Sequence, residues 1–419
     1  MFRSYAETPP KGWNSWDSFG ASVTEEEVLG NAEVMAKSLK DYGWEYIVVD
    51  IQWYEPLADS CAYHPFTELR QDEYSRLIPA ENRFPSSKGG LGFKPLADAV
   101  HAMGLKFGIH TMRGIPRQAV HGNSPILGTQ KTARDIADTN SICPWNTDMY
   151  GVDNTKDGAQ AYYDSLLALY ASWGVDFLNV DDIADSKLYG THSGEIELIR
   201  KAIDSCGRPM MLSLSPGPAP IERGTFFQRN ANMWRLTDDL WDNWEQLYDM
   251  FGRCGKWSAF VGTGAWPDCD MLPLGHIGTR TAADGSEARM TRFTKEEQRS
   301  LMTLWSIFRS PLLFGGDLRK LDDWTHSLLS EPYLIDAHQN GRDAKEVYRK
   351  EDLVIWVSES DTRKYVACFN LADRPVAARE WLQSLGGELH EVWANRAVSV
   401  ADAETAFIAP HGVALYISK

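Results

Sequence analysis

The chain reads as a (β/α)8 barrel followed by a small C-terminal antiparallel β-sandwich. Three observations predict this. Short aliphatic runs recur eight times between residues 12 and 314, and helix-period segments lie between several of them. The runs are almost continuously apolar, as expected of parallel strands covered on both faces. Past residues 339–341 the helical period stops, and strand-like pieces separated by turn residues take over. The expected division is a catalytic barrel over 1–338 and an antiparallel β domain over 339–419.

The eight runs fall at 12–14, 46–50, 105–110, 176–181, 210–215, 233–237, 257–261 and 311–314. Among the helical segments, 25–42 places Val28, Ala32, Met35, Ala36 and Leu39 on one stripe, with Thr24 positioned as its N-cap. Segments 93–103, 159–173 and 295–309 carry the same period. A doubly wound open sheet competes with the barrel, but no G-x-G-x-x-G follows the first run. Segments 55–88 and 113–155 are rich in Pro, Gly, Asn and Asp. They fit enlarged βα loops, which in barrels build the active-site face. In the C-terminal part the strand pieces are 347–349, 353–359, 364–371, 389–392 and 413–417.

Composition narrows the function. Of the 419 residues, 42 are Lys or Arg and 58 are Asp or Glu, a net charge of −16. A nucleic-acid partner needs a basic face, and this balance argues against one. It also disfavours anionic membranes and polyanionic substrates. No apolar stretch approaches the roughly 18 residues that a membrane span requires. The first ten residues hold no apolar leader segment, so a cytoplasmic location is expected. The six cysteines form no CxxC pair and no Cys/His cluster at zinc spacing. They read as thiols, and no metal or other cofactor is expected.

Acidic residues at the ends of strand runs carry the chemistry. Asp50 ends the second run, Asp181 and Asp182 end the fourth, and Asp238 and Asp239 follow the sixth. One such residue alone reads better as a helix cap or a surface turn. Three on different strands of a barrel converge on its mouth. Two carboxyl groups across a cleft are the equipment of glycosidic bond cleavage. Of the sixteen tryptophans, Trp16 and Trp53 stand beside Asp17 and Gln52, where indole can pack on the C–H face of a sugar. His110 ends the third run, with Arg113 and Arg117 after it, to contact sugar hydroxyls or to anchor loops. Ser213 and Ser215 lack the G-x-S-x-G elbow of a serine hydrolase.

Four segments resemble glycoside hydrolase family 27, the α-galactosidase family. PPKGWNSWD at 9–17 resembles its opening PPMGWNSW, and WGVDFLNVD at 173–181 resembles its nucleophile strand, W-G-V-D-x-L-K-x-D. WRLTDDLWDNW at 234–244 resembles its acid/base strand, and WPDCDML at 266–272 resembles W-N-D-P-D-M-L. The resemblance implies a retaining mechanism, with Asp181 as nucleophile and Asp239 as acid/base, their carboxyl groups about 5 Å apart. It implies that Asp50 binds the axial C4 hydroxyl, Trp16 packs on the ring and Arg235 holds the C2 hydroxyl. Asp270 and Met271 would complete the wall.

The departures from the family pattern bear on substrate. Where the family has Asp-Asp at the end of the second strand, this chain has Asp50 and Ile51. The family's second Asp contacts the hydroxymethyl group of galactose. Ile51 cannot accept that bond, and an unpaired buried hydroxyl costs about 1–3 kcal/mol. L-Arabinopyranose is galactose without that group, so a β-L-arabinopyranosidase with residual α-galactosidase activity is expected, as in one branch of the family. An α-galactosidase proper is the alternative. Asn179 stands where many members have Lys, and His110 where relatives often have Tyr. Ser215 leaves room near C2 that would admit an N-acetyl sugar. A non-catalytic sugar-binding barrel is disfavoured because Asp181 and Asp239 are both present. Relatives are often oligomeric, which implies a homo-oligomer. The expected partner is a short oligosaccharide or glycoside ending in L-arabinopyranose or galactose.

Overall fold

The computed structural model describes residues 2–280, 287–377 and 388–418. Eight parallel strands follow one another around the sheet in chain order. They are β1 (Lys11–Asn14), β2 (Tyr46–Val49), β3 (Lys106–Met112), β4 (Phe177–Asp181), β5 (Met211–Leu214), β6 (Met233–Arg235), β7 (Trp266–Asp268) and β8 (Leu312–Phe314). β8 pairs with β1. The remaining gap is bridged just past β7, where the Leu272 N–H donates to the Leu313 carbonyl at 2.8 Å. The cylinder is a (β/α)8 barrel.

Alternation along each strand sorts side chains to its two sides. Tyr46, Val48, Phe177, Met211, Met233, Trp266 and Leu313 form one apolar cluster inside the barrel. Ile47, Val49, Ile109, Leu178 and Leu212 point the other way and join the large core under the helices. One step beyond the inner apolar layer, the same inward parity carries Asp50, His110, Asn179, Asp181, Ser213, Arg235 and Asp268. The barrel therefore has an apolar floor and a polar mouth.

The helix Glu25–Ser38 begins as its pattern predicts. Thr24 and Glu27 form a reciprocal capping box, and Val28, Ala32 and Met35 are buried. The helices Lys94–Ala102, Ala159–Trp173 and Lys295–Phe308 also lie where the period placed them. The seventh strand does not. Residues 257–261 finish the helix Trp244–Trp257 and continue into the short 3-10 turn Ser258–Phe260. Trp257 and Cys254 are the inner side of that helix's last turn, not a strand. The true β7 has three residues, one of them proline, too short to show any period. The long loop after β3 holds its own three-stranded antiparallel sheet, made from Ile115–Pro116, Ala137–Ile142 and Met149–Val152.

Helix Pro332–Asn340 ends at Gly341, and a six-stranded antiparallel sheet begins with Arg342–Lys350. One face is closed by the ribbon Val376–Ala377/Phe407–Ile408 and by the helix Val400–Thr405, an element without a legible period. The other face is continuous with the barrel core: Val354, Trp356, Ala367, Phe369 and Leu415 belong to the same apolar cluster as the barrel helices. Phe369 meets Phe251 at 4.9 Å, and Trp356 meets Phe308 edge-on at 6.0 Å. At the rim, His411 stacks on Trp244 at 3.8 Å and contacts Glu297 at 2.7 Å. This shared core makes the two parts one stability unit. Trp356→Ala is expected to cost about 3–5 kcal/mol and to lower a single cooperative melting transition, read by calorimetry, instead of splitting it in two.

Candidate active site

The polar mouth encloses a cavity of about 290 Å3. Asp50, His110, Asn179, Asp181, Arg235, Asp239, Asp270, Met271 and Trp16 all line it. Most come from different strand ends, so barrel closure alone brings them together.

His110 ties its floor together. Its Nδ1 lies 2.8 Å from Asp50 Oδ2 and its Nε2 lies 3.1 Å from Asp181 Oδ2. Burial disfavours an imidazolium here, but the two carboxylates outweigh it and raise the ring pKa to about 10. His110 is therefore a cation at neutral pH. The Asn179 amide sits 3.0 Å from Nε2 and 3.1 Å from Ser215 Oγ. Asp50 is fixed further by Asn14 Nδ2, which donates to Oδ2 at 2.8 Å, and by the Ile51 N–H, which donates to Oδ1 at 2.8 Å.

Asp181 and Asp239 have opposite electrostatics. Burial pushes the Asp181 carboxyl up, but His110, the Asp182 N–H at 2.6 Å and Arg235 overcome it and hold the pKa below the ordinary value. For Asp239, burial and the neighbouring Asp181 and Asp238 win over Arg235, and the pKa is raised. The Asp239 side chain sits at the cavity rim with 61% of its surface accessible, so water screens much of this shift while the cavity is open. A sugar seated there displaces that water and strengthens the upward shift.

Arg235 spans the second half of the site. Its Nη1 lies 2.7 Å from Asp270 Oδ1 and its Nη2 lies 3.2 Å from Asp239 Oδ1. Desolvation and nearby carboxylates bring Asp270 to about 7 despite Arg235. Burial lifts Asp268 to about 6.

Three expected contacts stand back from the cavity. Trp53 is fully buried among Tyr54, Phe93, Tyr170 and Trp173, and its indole N–H donates to the His110 carbonyl at 2.7 Å. It supports the wall and offers no face to a ligand. Ser215 lies behind Asn179, with 2% exposure. Ile51 packs into the core shared with Ile47 and Val49, directly after the lining residue Asp50.

Tyr63 and Trp145, which also line the cavity, lie in none of the motifs. Tyr63 stacks on Trp16 at 5.7 Å and meets Trp145 at 5.5 Å, giving one continuous aromatic wall. Both additions come from the long loops after β2 and β3, where only the Pro- and Gly-rich composition hinted at a role. Asp17 is a buried carboxyl on the cavity wall, raised well above its ordinary pKa by burial and by Asp270, Asp239 and Asp50. Lys187 and Asp238 pair at 3.2 Å across the rim. Among the described residues no group of His, Cys, Asp and Glu has the arrangement of a metal site, and no helix is long and apolar enough to cross a membrane.

A paired-carboxylate barrel mouth with an aromatic wall agrees with the relatives found by comparison. The family model for alpha galactosidase A (Melibiase_2) matches residues 154–340. An alpha-galactosidase of Cyamopsis tetragonoloba is 28% identical over 98% of this chain and 86% of its own length. An alpha-N-acetylgalactosaminidase of Gallus gallus is 27% identical over 80% of this chain and 71% of its own. Among solved structures, a family 27 β-L-arabinopyranosidase from Geobacillus stearothermophilus, an alanine variant in complex with arabinose, is 60% identical. It superposes with a TM-score of 0.96, covering 100% of this chain and 98% of that one. The chain belongs to glycoside hydrolase family 27 and is an O-glycosyl hydrolase.

Proposed function

We propose that the protein is a retaining exo-glycosidase that removes terminal β-L-arabinopyranosyl residues, with some α-D-galactosidase activity. The observation that carries the mechanism is the electrostatic split within one cavity: the Asp181 pKa is held below its ordinary value by His110, the Asp182 N–H and Arg235, and the Asp239 pKa is raised above it by burial and the neighbouring carboxylates. Asp181 attacks the anomeric carbon and forms a glycosyl ester, while Asp239 gives its proton to the departing oxygen. Asp239 then takes a proton from water, whose oxygen displaces Asp181 from the sugar. The His110 cation keeps the nucleophile charged and its carboxylate oriented. Arg235 holds Asp239 and the C2 hydroxyl, Asp50 and Asn179 bind ring hydroxyls, and Trp16 with Tyr63 packs on the sugar's C–H face. Asp270 and Met271 close the wall.

Two observations support arabinopyranose over galactose. The position after Asp50 is the apolar Ile51, which supplies no acceptor for an exocyclic hydroxymethyl group. The 60%-identical relative is a β-L-arabinopyranosidase. The two linkages share the same spatial arrangement at the anomeric carbon, so one pair of carboxyl groups serves both.

The reading makes three measurable demands. Wild type should prefer p-nitrophenyl β-L-arabinopyranoside to p-nitrophenyl α-D-galactoside by about tenfold to hundredfold in kcat/KM. Ile51→Asp should shift that ratio towards galactoside, and a wild-type preference for galactoside would overturn the substrate assignment. Asp181→Ala should lose on the order of ten-thousandfold in kcat on both substrates. Turnover near the wild-type rate would exclude it as nucleophile. The pH profile of kcat/KM should be bell-shaped: activity rises as Asp181 ionises and falls as Asp239 loses its proton. The Asp181 pKa is lowered, so the acid limb lies below the ordinary carboxyl range. The Asp239 pKa is raised, so the basic limb lies above it. His110→Phe removes the cation beside Asp181 and should move the acid limb upward. An unmoved limb would separate His110 from the ionisation of Asp181.

A further inference from the structure

A buried ion cluster lies directly behind Asp181. The Asp182 N–H donates to Asp181 Oδ1 at 2.6 Å, which requires the chain to turn back on itself immediately after β4. Asp182 does so with φ of 53°, in the left-handed region that non-glycine residues seldom adopt. Arg113 grips this turn from two sides. Its Nε donates to the Asp182 carbonyl at 2.7 Å, and its Nη2 lies 2.9 Å from Asp182 Oδ2. The Arg113 backbone N–H donates to the Asp181 carbonyl at 3.0 Å, so one residue holds both peptide oxygens around the bend.

The remaining guanidinium nitrogen is also placed. Nη1 donates to Glu195 Oε1 at 3.2 Å. Glu195 Oε2 accepts from the Tyr163 hydroxyl at 2.5 Å, and that hydroxyl accepts from the Gly114 N–H at 3.1 Å. Arg113, Asp182, Glu195 and Tyr163 are buried, and none of them lines the cavity. Arg113 therefore contacts no sugar hydroxyl. A planar fork with three occupied edges fixes direction as well as charge, which a lysine ammonium does not.

We propose that Arg113 is a positioning residue for the reaction: it locks Asp182 in the left-handed turn that aims the Asp182 N–H at the Asp181 carboxylate. The turn fixes the carboxylate for attack and adds a hydrogen bond to its charged form. The proposal rests on Asp181 being the nucleophile. A loose fork misaims Asp181 without touching the substrate, so the loss falls on kcat and not on KM.

The test compares Arg113→Gln, Arg113→Lys and the double variant Arg113→Gln/Asp182→Gly, each checked for folding by near-UV circular dichroism. Arg113→Gln should lose about tenfold to hundredfold in kcat with KM nearly unchanged, and its acid limb should move up as Asp181 loses a hydrogen bond. Arg113→Lys should lose less than Arg113→Gln. Glycine adopts the left-handed turn without strain and removes the stranded carboxylate. The double variant should therefore regain kcat over Arg113→Gln and move the acid limb back towards wild type. It is also the variant that should fold if Arg113→Gln alone does not. A folded Arg113 variant with wild-type kcat and an unmoved acid limb would overturn the proposal, as would a double variant that folds but regains nothing. Azide rescue of Asp181→Ala, with inversion at the anomeric carbon, tests the nucleophile separately. If rescue fails while the Arg113 variants behave as described, the fault lies in the role of Asp181 and not in the clamp.

Discussion

An imidazolium between two carboxylates sets the conditions for the rest of the site. His110 lies between Asp50 and Asp181 on the floor of the cavity, and its positive charge helps to hold the Asp181 carboxyl below its ordinary pKa. In a buried position neither partner could hold its charge alone. The two predicted roles, sugar binding by Asp50 and attack by Asp181, therefore depend on the same ring. The ring's height is set in turn by Trp53, whose indole holds the His110 carbonyl from behind.

The cavity as a whole is short of cations. Asp17, Asp50, Asp181, Asp238, Asp239, Asp268 and Asp270 line it, against His110, Lys187 and Arg235. Such crowding raises the pKa of some carboxyl groups and not of others, and position decides which. Asp181, beside His110, is discharged of its proton. Asp239, Asp270 and Asp17 share the weaker influence of Arg235 and are pushed the other way. A fold that simply collected acidic strand ends would give a set of similar acids. This one lowers the pKa of one carboxyl group and raises that of another in one small space, which is what double displacement needs.

The C-terminal sheet reaches the site indirectly. Its inner face shares one core with helices Trp244–Trp257 and Lys295–Phe308. The first of these follows the loop that carries Asp239, and the second precedes β8. Packing against them steadies that side of the barrel, and none of the sheet's described residues lines the cavity.

Local signals in the chain determined a good deal. The stripe and the Thr24 N-cap of Glu25–Ser38 are short-range physics and were legible, as were the acidic strand ends, because a strand's parity fixes which residues face inward. The motif at 266–272 likewise marked Asp270 and Met271. Residues 257–261 misled because a helix's buried last turn and a short strand look alike over five residues. Trp53 misled because an indole beside a strand end can face either side. Tyr63 and Trp145 showed only as part of Pro- and Gly-rich loops, and Arg113 only as a sugar contact or a loop anchor, with no sign of its fork on Asp182. Their partners lie tens of residues away in sequence and meet only when the barrel closes. The family resemblance implied opposite shifts for Asp181 and Asp239, but what produces them was beyond the sequence. That depends on distances of about 3 Å between groups on different strands, and only the tertiary structure decides those distances.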